Sequence, residues 1–192
     1  MIKGALIGCG RHGLRFIEGS KTINGLIIGA VVDRNPETAK NIRDIKFYND
    51  LGKMLTDYEP NLVIISTNGP SHYEIARKVI DHGVKMLIIS KPLTTSYYDA
   101  VKLHNLIKSS DIRIAVDHAL RYDKTYKWIR NNIDNQKWGE VLQVNIDRSG
   151  IGLGCLATHS FDLANYIFGY FPTKVTGWVD KPVNINPRGS QF

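Results

Sequence analysis

The feature that most constrains this chain is an apolar run that ends in a cluster of glycines, "MIKGALIGCGRHG", residues 1–13. Ile2 to Ile7 has the aliphatic, β-branched content of a buried strand, and Gly8, Gly10 and Gly13 behind it match G-x-G-x-x-G. At a strand-to-helix junction that spacing lets the backbone approach a pyrophosphate closely, while the negative charge rests on the free N–H groups of the next helix. The same glycines also suit a plain tight turn, so their meaning depends on the elements that come after them in the chain.

Beyond the glycines, strands and helices alternate regularly. Strands are expected at 2–7, 26–33, 45–48, 61–66 and 85–89, with helices at 11–19, 36–43, 50–56 and 71–82 between them. Such a βαβ series predicts an α/β fold with a doubly wound parallel sheet. Runs such as "LIIGAVV" and "LVIIS" lack period-two alternation, as strands covered on both faces do. Asn35-Pro36, Asp50 and Pro70-Ser71 supply helix-start chemistry. An amphipathic helix in "TTSYYDAVKLHNLIKSSD" and a strand in "IRIAVDH" then close a dinucleotide-binding Rossmann domain over residues 1–118.

Residues 119–192 read as an incomplete α+β substrate or oligomerisation domain. "DKTYKWIRNNID" is a linking helix, "GEVLQVNIDRSG" alternates like an antiparallel strand with one wet face, "THSFDLANYIFG" is a helix, and "KVTGWV" begins another strand. Two strands make a marginal sheet, so either this domain is cut short or another chain completes it. Trp128, Trp138 and Trp178 are expected to pack at the domain junction.

Composition narrows the class of partner. With 43% hydrophobic and 22% charged residues and no low-complexity stretch, the chain has the make-up of a folded globular protein rather than a disordered one. No apolar run reaches membrane-spanning length and the N-terminus enters a strand directly, which predicts a cytoplasmic protein with no membrane partner. The net charge of +7 is scattered without a basic stripe. A phosphate-bearing cofactor or substrate is therefore expected, and no nucleic acid. Cys9 and Cys155 are the only cysteines, without metal-ligand spacing, so neither a metal site nor a disulfide framework is expected.

Asp33 ends the second strand in "AVVDRNP", where a dinucleotide fold presents a carboxylate to the adenosine ribose. A carboxylate accepts both ribose hydroxyls and repels a 2'-phosphate, which favours NAD over NADP. Arg34 beside it is placed to stack on the adenine or, less readily, to pair with a phosphate. Taken alone, Asp33 also reads as a helix-capping residue on a surface loop.

The stretches "STNGPSHYEIARKVIDHG" and "KMLIISKPL", together with the glycines, resemble the Gfo/Idh/MocA family (glucose-fructose oxidoreductase / inositol dehydrogenase). In that family the fourth strand ends in Ser-Thr-Pro-Asn-x-x-His and the fifth in Glu-Lys-Pro. Here the residues are Ser66, Thr67, Asn68, Gly69, Pro70, Ser71 and His72, and then Ser90, Lys91 and Pro92. "VDHALRYD" is similar to the family's Arg-Phe/Tyr segment, and "GCLATHSFDLANYIFG" to its Gly-x-x-x-x-x-His-x-x-Asp helix, so the resemblance covers nearly the whole chain.

The resemblance implies an NAD(P)-dependent oxidoreductase acting on a CH–OH group of a sugar, cyclitol or sugar derivative, nucleotide-linked sugars included. It implies cofactor contacts at Gly8, Cys9, Gly10, Arg11, His12, Gly13, Asp33, Arg34, Thr67, Asn68, His72, Lys91 and Pro92. Lys91 would bind and polarise the reacting oxygen, and His159 would carry the proton. Arg121, Tyr122 and Asp162 would join these two in binding substrate, with Tyr122 as an alternative proton donor. Arg121, Arg148 and Arg188 suit a phosphorylated substrate. Homo-oligomerisation through the second domain is expected as well.

Two departures matter. Ser90 stands where the family has Glu, and Cys155 stands four residues before His159, where many members carry Asp. Both are also what a non-catalytic NAD-binding sensor or an inactive, truncated family member would show. On the residues alone, a lysine before proline at a strand end is a solvated one, and a histidine at a helix start caps or packs. His118 begins the crossover into the second domain.

Overall fold

A computed structural model of the chain describes residues 1–40, 42, 44–147 and 156–178. Six strands, β1 (Ile2–Ile7), β2 (Leu26–Val32), β3 (Lys46–Tyr48), β4 (Leu62–Ile65), β5 (Met86–Ser90) and β6 (Arg113–Asp117), form one sheet in the order β3-β2-β1-β4-β5-β6. Every pairing is parallel, and the chain reverses its direction of travel across the sheet between β1 and β4. In open parallel sheets that switch point is where a ligand crevice opens, beyond the carboxyl ends of the strands.

The unbroken apolar runs explain why the sheet is covered twice. Ala5, Ile7, Ala30, Val32, Val63, Ile65 and Leu87 share one core with Met54 and Leu55 of α2 (Leu51–Tyr58), Ala76 and Val79 of α3 (His72–Asp81) and Leu103 of α4 (Tyr97–Lys108). Leu6, Ile28, Val31 and Ile64 point the other way and pack with Ile17 of α1 (Arg11–Ser20). Neighbouring residues of one strand thus feed opposite cores, and neither face is left for polar chemistry.

Helix starts obey the expected side-chain logic at several ends. Asp50 accepts from the Lys53 N–H at 2.7 Å, Ser96 caps α4, and Asn35 accepts from the Glu37 N–H ahead of Pro36. Ser71 does not cap α3; its hydroxyl donates to the Asn68 carbonyl instead. The helix expected at 36–43 is reduced to a 3₁₀ turn at Pro36–Ala39 with no buried residue. A good cap starts a helix, but Ala39 and Ile42 reach the core only in part, and helical stability that packing does not supply does not propagate the turn.

The chain divides into two compact units, the first Met1–Asp117 and the second beginning at His118. In the second, a 3₁₀ turn (Ala119–Tyr122) leads into α5 (Lys124–Asp134), and α6 (Ala157–Phe168) packs with both. Arg130 of α5 donates to the carbonyls of Tyr166 and Ile167 at the end of α6 while its guanidinium also holds Asp134. Gly169, at φ +81°, ends that helix in the left-handed conformation. Trp128 and Trp138 meet edge to face at 5.2 Å, yet these two and Trp178 are all more than half exposed.

The strands expected at 139–150 and 174–179 are not seen: the described parts, 139–147 and 174–178, carry no sheet pairing. An alternating sequence sets which face is wet, but a strand exists only where a neighbour supplies its ladder of hydrogen bonds.

Because Leu87 is 1% exposed in the central sheet, Leu87→Ala is expected to lower stability by about 2–5 kcal/mol in urea unfolding. Ile27→Ala, at a half-exposed position of β2, is expected to change it by well under about 1 kcal/mol.

Candidate functional site

The glycine loop joins β1 to α1 by a close approach of backbones. Gly8 adopts φ +93°, and a β-carbon there would stand 2.6 Å from the Ser66 carbonyl oxygen at the end of β4. One on Gly13 would collide with the carbonyl oxygen of Gly8. Gly10 differs: a β-carbon on it would meet nothing within 4 Å. Gly10 is exposed and is the N-cap of α1, which has no side-chain cap and no acidic residue in its first turn. The first two glycines are required by the fold, whereas Gly10 leaves bare backbone and uncapped N–H groups facing open space.

Asp33 closes the second wall. Its Oδ2 accepts from the Cys9 N–H at 2.7 Å and its Oδ1 from the Asn35 N–H at 2.9 Å, so the carboxylate at the end of β2 is tied to the glycine loop. An ionised carboxylate has further lone pairs, and half-buried Asp33 keeps acceptor capacity toward the groove. Cys9 itself is 2% exposed, and burial, aided by the Asp33 charge, pushes its thiol up to about 12. Its side chain belongs to the core; only its backbone reaches the loop. Arg11 and Arg34 are exposed on either side.

The β4 and β5 ends are bound to each other through His72. This ring is fully buried, with Nδ1 2.8 Å from the Pro92 carbonyl oxygen and Nε2 3.0 Å from that of Thr67. Of the residues expected at the cofactor, His72 is thus the one whose ring is engaged between two backbone carbonyls. With no accessible surface and both nitrogens engaged, it holds the loops that carry Thr67 and Pro92. Thr67 also shares a 2.8 Å hydroxyl contact with Ser71, Asn68 is exposed, and half-buried Lys91 joins Pro92 through a cis peptide bond. Ser90 is 4% exposed, and its hydroxyl has no hydrogen-bond partner among the described residues.

A residue not singled out from sequence also stands here. Asp117 ends β6, in register with Ser90, and its carboxylate lies 3.0 Å from His12 Nε2. "IAVDH" has the same form as "AVVDR" at the end of β2, an apolar strand closed by an aspartate, and that was the available signal.

In the second unit, His159 lies in the first turn of α6, against His118, with ring centroids 5.5 Å apart at 88°. The Nδ1 atoms of both rings are buried. Asp162 accepts from Arg121 Nε on both oxygens, at 2.9 and 2.7 Å, and that hydrogen bond raises the arginine above its ordinary range. Tyr122 is exposed beneath Lys127. Cys155, Arg148 and Arg188 lie outside the described residues. Among the described residues no group of three or more His, Cys, Asp or Glu is placed to hold a metal, and no helix is long and apolar enough to cross a membrane.

Glycine loop, Asp33, parallel order and the Lys91-Pro92 end coincide with one known pattern. Residues 2–118 match the family described as an oxidoreductase family with an NAD-binding Rossmann fold, Gfo/Idh/MocA. The chain belongs to the Gfo/Idh/MocA family. It is 30% identical over 161 residues to an uncharacterized oxidoreductase of Schizosaccharomyces pombe, an alignment covering 75% of this chain and 43% of the relative. It is 26% identical over 207 residues to the D-apiose dehydrogenase of Rhizobium rhizogenes, covering 97% of this chain and 59% of that enzyme. Among solved structures, an oxidoreductase from Agrobacterium radiobacter in complex with NAD+, L-tartaric acid and magnesium is similar with a TM-score of 0.79 and 25% identity, over 88% of this chain and 55% of that one. This member of the family thus spans about half the length of the proteins it matches.

The raised thiol of Cys9 gives a direct check on this loop. At pH 8 the folded protein should resist alkylation at Cys9 by iodoacetamide, and unfolding in urea should expose it to reaction at the rate of a free cysteine. Since the folded value lies above the unfolded one, the contribution to stability is complete below about pH 9 and is lost as pH rises toward about 12.

Proposed function

We propose that this chain binds NAD along the carboxyl edge of its parallel sheet and moves hydride between the nicotinamide and a hydroxyl-bearing carbon of a sugar or cyclitol. The observation that carries this reading is Gly10: exposed backbone at an uncapped helix start, in a loop that the Cys9 N–H ties to the Asp33 carboxylate. The residues present fit the group. In this reading Gly8, Gly10, Arg11 and Gly13 hold the pyrophosphate, Asp33 the adenosine ribose and Arg34 the adenine, with Thr67, Asn68 and Pro92 along the remaining wall. Asp33 favours NAD over NADP by repulsion of a 2'-phosphate. Bound NAD supplies the hydride acceptor.

The chain's own residues supply binding and proton transfer. Lys91 donates to the reacting oxygen and stabilises charge that develops on it. His159 takes the hydroxyl proton on Nε2 as the carbon–hydrogen bond breaks and the carbonyl forms. D-Apiose and L-tartaric acid, which appear with two of the similar proteins, are both small polyhydroxylated molecules and support that substrate class. One observation favours a second reading, a sensor that binds NAD and turns nothing over: Ser90 leaves a buried, unpartnered hydroxyl where the resemblance expects a carboxylate.

Fluorescence titration is expected to show tighter binding of NADH than of NADPH, with Asp33→Ser narrowing the gap. Gly10→Val should abolish NADH binding while leaving thermal unfolding unchanged, because its side chain meets no protein atom. Equal affinities in the unmutated protein would remove the role given to Asp33.

Turnover separates the two readings. In a spectrophotometric screen of polyols and sugar acids with NAD+, Lys91→Ala and His159→Ala are each expected to lower kcat by about 10² to 10⁴ with little change in NADH affinity. NADH binding without any turnover across the screen would select the sensor.

A further inference from the structure

We propose that His118 is a positioning residue of His159, holding the plane of that ring for proton transfer. The inference rests on the reading of His159 as the base and adds a residue to it. Four side chains carry it, in two matched pairs. His118 and Arg121 are three residues apart on the 3₁₀ turn that opens the second unit, and His159 and Asp162 are three residues apart on α6. A spacing of three puts each couple on one face, and the two faces meet turn for turn: imidazole on imidazole, then guanidinium on carboxylate.

Each contact restrains a different freedom. The 88° edge-to-face contact at 5.5 Å restrains the plane of the His159 ring, since it is one of the favoured aromatic arrangements and tilting the ring toward a face-to-face sandwich is disfavoured. Arg121 Nε, bonded to both Asp162 oxygens, fixes the turn of α6 that carries the histidine, and the same guanidinium lies over the ring of Tyr166 at 5.4 Å, one further turn along. Asp162 is 14% exposed on its side chain and Arg121 38%, so the carboxylate end of the pair is the part withdrawn from solvent. With Nδ1 of both rings buried, rotation of His159 about its side-chain bonds would have to break the ring contact first. A neighbouring ring and a clamped helical turn thus both act on its orientation.

The test uses the full chain. In the unmutated protein, nuclear Overhauser cross-peaks between the ring protons of His118 and His159 are expected, and their absence overturns the proposal whatever any variant does. With NAD+ and myo-inositol, D-apiose and L-tartrate as substrates, His118→Ala should lower kcat about tenfold with KM changed less than about twofold, and should shift the His159 ring-proton resonances. His118→Phe keeps an aromatic face and should restore kcat to within about threefold of the unmutated protein. A His118→Phe variant as slow as His118→Ala overturns positioning by the ring. Inactive His159→Ala beside fully active His118→Ala overturns this role alone. Absence of turnover in the unmutated protein overturns the proposed hydride transfer and this role with it, whereas full turnover in His159→Ala keeps the hydride transfer and overturns the base assigned to His159 together with this role.

Discussion

The carboxyl edge of the sheet depends on two β-carbons that are not there. At Gly8 a side chain would press into the Ser66 backbone, and at Gly13 into the Gly8 carbonyl, so β1, β4 and the start of α1 converge only because both positions are glycine. The convergence brings the Cys9 N–H within 2.7 Å of Asp33 and leaves Gly10 as the outermost point of the loop. Had the loop been wider, the carboxylate at the end of β2 would have faced water instead of a backbone donor, and no common wall would exist. The cost is conformational: glycine gives up more backbone freedom on folding than any other residue. Burial of Leu6, Ile17 and Val31 beneath the loop offsets it.

A sheet buried on both faces also dictates where chemistry can occur. Every strand residue from Leu62 to Ile65 is buried, so no reactive group can sit on either face, and polar side chains are displaced to the strand ends. There they must be held by something other than a ladder. His72 does this for the ends of β4 and β5 by bridging two carbonyls from a wholly buried position, and the close fit of Gly69 against Thr95 and Pro92 leaves that junction little slack. A histidine expected to touch a cofactor is thus spent on keeping the loops that carry Thr67 and Pro92 in place.

Local signals were the legible ones. The alternation of apolar runs foretold the parallel sheet because strands covered twice need no polar face, and Asn35 and Asp50 marked helix starts because their acceptors serve the next turn of the same chain. Asp33 could be placed for the same reason: it ends a strand. What sequence did not disclose depends on partners far along the chain. The bond from His12 to Asp117 spans 105 positions, and the burial of His72 depends on Pro92, 20 residues on. The strands read at 139–150 and 174–179 fail differently, since period-two alternation reports a wet face but not the neighbour that must pair with it. At 36–43 a sound cap opens only a single 3₁₀ turn, Pro36–Ala39, in which no residue is fully buried.

The departure at Ser90 has its own electrostatic logic. That position is 4% exposed, and a carboxylate so deeply placed would have to recover a desolvation cost of several kcal/mol from its partners. Serine avoids the charge, leaving instead a buried hydroxyl without a hydrogen bond among the described residues, a penalty of about 1–3 kcal/mol. Negative charge is not absent from this end of the sheet, however. Asp117 lies in register with Ser90 one strand over, 20% exposed on its side chain and held by His12 at 3.0 Å. There a carboxylate keeps part of its hydration and gains a hydrogen-bond partner from the first turn of α1, the helix that the glycine loop opens. Negative charge at this end of the sheet thus sits on the edge strand, where it can be partly solvated, rather than at the buried position beside it.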